Sequence, residues 1–167
     1  CLERGIKIVS NAGGLNPAGL AAAIEALGAR VAYVEGDDLR GSLDAVTPPV
    51  TGKPVSANAY LGGWGIAAAL AAGADVVVTG RVTDASLVVG PAAWWHGWST
   101  TDWDALAGAV VAGHVIECGP QATGDPPGAV CRPLRRASGF AGGAGRRPDH
   151  AQRHGGLIDG AGGASVR

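Results

Sequence analysis

With 167 residues, and 13 Lys plus Arg set against 14 Asp plus Glu, the chain has room for one ordinary core and carries a formal net charge of -1. That leaves no broad field to hold nucleic acid or an anionic membrane, and both are expected to be absent as partners. The 3 cysteines, Cys1, Cys118 and Cys131, form neither a CxxC pair nor a disulfide framework, which fits a reducing cytoplasm.

No run reaches the roughly 18 apolar residues of a membrane span, and the opening Cys-Leu-Glu-Arg-Gly lacks the charged-then-apolar layout of an export signal. The sequence holds no methionine, and Cys1 to Arg4 read like the last turn of a helix begun earlier, so the start is expected to be a truncation.

Ile6 to Ser10 is a short apolar run of the kind found in a parallel sheet covered on both faces. The loop Asn11-Ala12-Gly13-Gly14-Leu15 follows, and Asn16-Pro17 supplies a helix N-cap with proline at the first helical position, where a missing N–H costs nothing. Leu20, Ile24 and Leu27 space the apolar face of that helix, Gly28 stops it, and Val31 to Val34 reads as a second strand. Asp38 is placed to cap a short helix through about Ala45, broken by Pro48-Pro49.

An irregular stretch carrying Ser56, Asn58 and Tyr60 leads to an alanine-rich helix from Trp64 to Ala72. Val76 to Thr79 is a third strand, followed by the polar loop Gly80-Arg81-Val82-Thr83-Asp84. Asp84 is expected to cap the next helix, and Pro91 to interrupt it. The clearest helix starts at Thr101 or Asp102 and runs to about Cys118, with Trp103, Leu106, Ala107, Val110, Val111, His114 and Val115 along one stripe. Strands that alternate with polar loops and helices predict an α/β domain over residues 1–123, part of a doubly wound, mostly parallel sheet whose ligands sit beyond the carboxyl ends of the strands.

From 124 to 167 the composition shifts to Gly, Ala, Arg and Pro with no helical or strand period. This tail is expected to be disordered or poorly packed. An out-of-frame reading of GC-rich DNA accounts for it better than a natural flexible tail does.

Several residues carry potential chemistry. Asn11, Gly13 and Gly14 lead into a helix N-terminus, where free N–H groups and partial positive charge suit a phosphate or carboxylate. Glu35 lies 21 positions beyond Gly14, near the offset at which a Rossmann acid meets a ribose, although Gly13, Gly14 and Gly19 do not spell GxGxxG. The other reading of this loop is a tight strand-to-helix turn. Glu35, Asp37, Asp38, Asp75 and Asp84 are candidate oxygen ligands for magnesium, against plain capping and solvated roles. Arg81 is the cation best placed to meet an anion, with a salt bridge to Asp84 as its structural alternative. His114 is either a hydrogen-bonded core histidine or a proton carrier, and Cys118 with Gln121 either apolar filler or a nucleophile with an amide donor. The tryptophans Trp94, Trp95, Trp98 and Trp103 suit an apolar wall or a subunit contact.

Taken together, ERGIKIVSNAGGLNP, VEGDDL, SANAYLGGWGIAAALAAGADVVVTGRVTDASLVVGP and GHVIECGPQATG resemble the acyclic terpene utilisation family called AtuA, over nearly all of Cys1 to Gly124. Members of that family are longer at both ends and continue the last block with Gly-Asn-Phe-like residues, whereas this chain reads Asp125-Pro126-Pro127. The resemblance implies a role in bacterial breakdown of acyclic terpenoids such as citronellol and geraniol, through acyl-CoA thioesters and a biotin-dependent carboxylase.

It brings no catalytic residues with it, so the site rests on the loop argument. Asn11, Gly13, Gly14, Asp37, Asn58 and Arg81 are expected to bind a branched acyl-CoA or terpenoid-derived acid, and Asp38, Asp84 or His114 to carry protons beside the thioester carbonyl. The alternatives are a non-catalytic assembly subunit for the carboxylase subunits, or a dinucleotide-binding oxidoreductase.

Overall fold

The computed structural model describes residues 1–46, 49, 52–119 and 164–166 of the chain. Expectations for Gln121, Cys131 and the greater part of the 124–167 tail, and for the side chain of Cys118, fall outside the described residues.

Three parallel strands form the centre, β1 (Ile8–Ser10), β2 (Val31–Val34) and β3 (Val76–Thr79), with β3 between the other two. A short β4 (Ala164–Val166) runs antiparallel on the outer side of β2, a strand in a segment expected to have none. The predicted β2 and β3 match residue for residue. β1 is shorter than the predicted Ile6 to Ser10 because a 3-10 turn at Leu2–Arg4, closed by Gly5 at φ 66°, occupies the approach to it.

Side-chain alternation explains the layers. Val31, Val76 and Val78 project to one face of the sheet and pack with Ala21, Leu20 and Ile24 of α1 (Pro17–Glu25). Ala32, Val34 and Val77 project to the other face, against Ile66, Ala69 and Leu70 of α2 (Trp64–Ala71). With both faces covered, all four residues of β3 are buried, which is why VVVT is an apolar run rather than an alternating one.

The crossover from β1 to β2 carries α1 over one face, and the crossover from β2 back to β3 carries α2 over the other. Opposite directions on opposite faces are what a single hand of crossover requires. The α/β, helix-flanked parallel sheet expected from the sequence is therefore the fold.

Local capping follows the sequence at α1, where the Asn16 side chain accepts the Gly19 N–H at 3.0 Å and Pro17 opens the helix. Elsewhere it differs. No α-helix follows Asp38; the chain makes a 3-10 turn at Leu43–Ala45, and the Asp38 carboxylate takes the Arg40 side chain and N–H instead of capping. Asp84 does not cap α3 (Ser86–His96), whose first turn is held by a short Thr83–Ser86 hydroxyl contact.

Pro91 lies inside α3 without ending it, although it cannot donate to the carbonyl one turn earlier. Close packing offsets that loss: a Cβ on Gly90 would lie 2.6 Å from the Gly63 carbonyl and 2.7 Å from Ile66, so α2 and α3 meet at backbone distance.

The last helix, α4 (Trp103–Cys118), departs furthest from expectation. It packs on α3 through its small residues: Ala109 is buried, and a Cβ on Gly113 would come within 2.8 Å of the Ala85 Cα. The large apolar stripe consequently turns outward, leaving Trp103 70%, Val115 51% and Ile116 68% exposed. His114 is exposed as well, so it is not a core histidine.

At the amino ends of the strands, Asp75 accepts Lys7 Nζ at 2.9 Å and the Arg30 guanidinium at 2.8 and 2.9 Å. One carboxylate thus ties together the entries of β1, β2 and β3.

Candidate functional site

The chain leaves β1 toward one face of the sheet and leaves the neighbouring β3 toward the other. Loops that part in this way open a crevice beyond the carboxyl ends of the two strands, the usual ligand position in an open α/β sheet. A cleft of about 350 Å³ lies there, lined by Asn11, Gly14 and Leu15 from the loop after β1, Gly80 and Arg81 from the loop after β3, and Asn58. A second cleft of about 500 Å³ shares Gly14, Leu15 and Asn58, and extends past the start of α1 to Glu35, Asp37 and Asp38 at the end of β2.

Gly13 brings the first loop close to β3. Its N–H donates to the Thr79 carbonyl at 3.1 Å, and a Cβ there would stand 2.6 Å from that oxygen and 2.7 Å from Pro17. Only glycine lets the loop close down on the strand end. Gly14 next to it has φ 53° and faces both clefts.

Asp37 organises the rest. The residue is 4% exposed, and its carboxylate accepts the Arg81 backbone N–H at 2.8 Å and the Asn58 amide at 2.9 Å. Its carbonyl accepts the Ala59 N–H at 2.7 Å, and Asp38 and Asn58 form an antiparallel bridge. Gly80 has no side chain because a Cβ would collide with the Asp37 carboxylate. Leu61 continues the link, donating to the Arg81 carbonyl at 3.2 Å and accepting from Thr83 N–H at 2.9 Å. Three segments, after β2, around 58–61 and after β3, are thereby fastened to one another.

Arg81 is exposed, its guanidinium 5.5 Å from the centre of the Tyr60 ring. The alternative pairing with Asp84 is not formed, and among the described residues no carboxylate lies within ion-pair distance of it. Asp38 behaves differently. Hydrogen bonds from the Arg40 side chain and then its backbone N–H hold the carboxyl down to about 2 from its ordinary 3.8, so Asp38 is a fixed carboxylate at neutral pH.

Of the residues singled out from the sequence, Asn11, Gly14, Asp37, Asp38, Asn58 and Arg81 line one or both clefts, and Gly13 shapes the loop between them. Asp84 and His114 line neither. Among the described residues no group of three or more His, Cys, Asp or Glu is placed to hold a metal ion, and Asp75 lies at the opposite end of the sheet. Glu35 does share a cleft with Gly14, but β3 separates β1 from β2, unlike the adjacent pair of the dinucleotide-binding unit. Reading the sequence alone left Tyr60 and Gly80 unassigned. A glycine directly after a buried strand was the signal for Gly80, and Tyr60 had none.

No helix among the described residues is long and apolar enough to cross a membrane. No curated protein and no solved structure matches the chain significantly. A family model does match, over residues 1–135, beyond Gly124, where the block-by-block resemblance ends; its description is acyclic terpene utilisation family protein AtuA. Since that match takes in every element that shapes the two clefts, the chain belongs to the AtuA family, and its role lies in acyclic terpene utilisation.

Proposed function

We propose that the crevice between β1 and β3 binds the anionic part of a branched acyl-CoA, or of the acid derived from it, during breakdown of an acyclic terpenoid. The observation that carries this reading is Arg81, an exposed guanidinium at the cleft with no ion-pair partner among the described residues, set beside the Asn11–Gly14 loop. A cleft of about 350 Å³ suits the acyl or acid end, or one phosphate, rather than a whole CoA.

Of Asp38, Asp84 and His114, Asp38 alone lines a cleft, and the Arg40 hydrogen bonds that keep it ionised make it a weak proton acceptor beside the thioester. Calorimetric titration and thermal shift of the whole chain with CoA, a branched acyl-CoA, the free acid, NAD and magnesium test the reading. Binding of the acyl-CoA or acid, lost in Arg81→Ala, is the expected result. Binding of NAD alone favours the dinucleotide reading instead.

A second reading rests on α4. Its outward Trp103, Val110, Val115 and Ile116 favour an assembly role alongside carboxylase subunits. Co-elution with those subunits, together with no response to any small molecule, would select it.

A further inference from the structure

We infer that Tyr60 is a positioning residue that presents Arg81 edge-on to an anion with two coplanar oxygens, a carboxylate or a phosphate. This rests on the reading of Arg81 as the anion-binding group.

The backbone places the ring. Ala59 is hydrogen-bonded to Asp37, and Leu61 is hydrogen-bonded to both Arg81 and Thr83, so Tyr60 is held between two anchored neighbours. Leu61 packs against the core, and along an extended segment alternate side chains point opposite ways, which turns Tyr60 to the same side as the cleft residue Asn58.

Arg81 is fixed from two directions. Asp37 holds its N–H at 2.8 Å, and the Tyr60 ring lies 5.5 Å beneath the guanidinium carbon. The N–H donors of a guanidinium lie in its own plane, and a ring on one side of the group leaves them open to a bidentate partner. An ammonium has no such plane, so the arrangement selects arginine over lysine. The Asp37 carboxylate accepts from the Arg81 backbone N–H and the Asn58 amide and forms no ion pair with the guanidinium.

The test uses isotope-labelled full-length chain, the side-chain NMR signals of Arg81, and isovalerate and inorganic phosphate as separate probes. In the unaltered protein the Arg81 signals should be shifted upfield by the ring and should move with one or both probes. Response to isovalerate alone identifies a carboxylate site, and response to phosphate alone a phosphate site. Tyr60→Phe should retain the ring shift and the affinity. Tyr60→Leu should abolish the shift and weaken binding about two- to fivefold, with an unchanged Tm because Tyr60 is 65% exposed. In an Arg81→Lys background the Tyr60→Leu change should have no further effect.

Binding lost in Arg81→Ala but unaltered in Tyr60→Leu would overturn the positioning role while sparing the anion reading. Binding unaltered in Arg81→Ala would remove both. Failure of both probes to move the Arg81 signals would overturn the two-oxygen assignment.

Discussion

The carboxylate of Asp37 accepts the backbone N–H of Arg81 at 2.8 Å and leaves the guanidinium of the same residue to the Tyr60 ring. A buried acid beside an arginine would ordinarily be expected to neutralise it. Here the acid fixes the main chain, and the arginine's charge stays at the cleft. Removing the acid tests this division. Asp37→Ala leaves the Asn58 amide and the Arg81 N–H unpaired and should lower unfolding stability by about 2 kcal/mol, with Asp37→Asn costing less; urea unfolding of both variants measures it. Equal losses in the two variants would show that the hydrogen bonds are not the source.

Gly80→Ala puts a methyl group against that same carboxylate. The loop after β3 must then move outward, so a stability loss of about 1 to 3 kcal/mol is expected, together with weaker anion binding at Arg81. A substitution that proved silent in both measurements would mean that the contact relaxes freely.

Asp75 should make the fold acid-sensitive. Hydrogen bonds from Arg30, then Lys7, hold its carboxyl well below its ordinary 3.8. A depressed folded-state value gives stabilisation that is fully present above the unfolded value, near 4, and is lost progressively as pH falls below it. Asp75→Asn should cost about 1 kcal/mol at neutral pH and should flatten the acid limb of the stability curve. Parallel curves for the two proteins below pH 4 would count against the clamp.

Arg40 sets the titration of Asp38. Arg40→Ala should bring the Asp38 carboxyl from about 2 back toward 3.8, measured by NMR titration, while both proteins carry the same Asp38 charge at neutral pH. If the value stays near 2 without Arg40, some other group is responsible.

What could be read from residues alone follows from the range of the forces involved. Val31–Val34 and Val76–Thr79 match because a doubly covered strand must be apolar throughout, and Asn16-Pro17 matched because a cap is a local hydrogen bond. Asp38 and Asp84 were misplaced as caps because the same residue type serves ion pairs and solvent equally well. The face of α4 that packs inward was not legible for a different reason. Its large residues mark the stripe in the sequence, yet α3 accepts only the side with Ala109 and Gly113, and that choice depends on a partner far along the chain. The cleft itself was legible only as a set of loops. Their grouping needed the strand order, and Tyr60 entered through backbone pairing that no local pattern encodes.

The Lys7, Arg30 and Asp75 cluster sits at one end of the strands and the crevice at the other. The acid clamp and the proposed binding crevice therefore occupy separate rims of a sheet only a few residues deep. Variants that loosen the acid clamp should alter how long the protein survives without altering what it recognises. The loops at the far rim can diversify to accept other guests while the clamp still holds the strands in register.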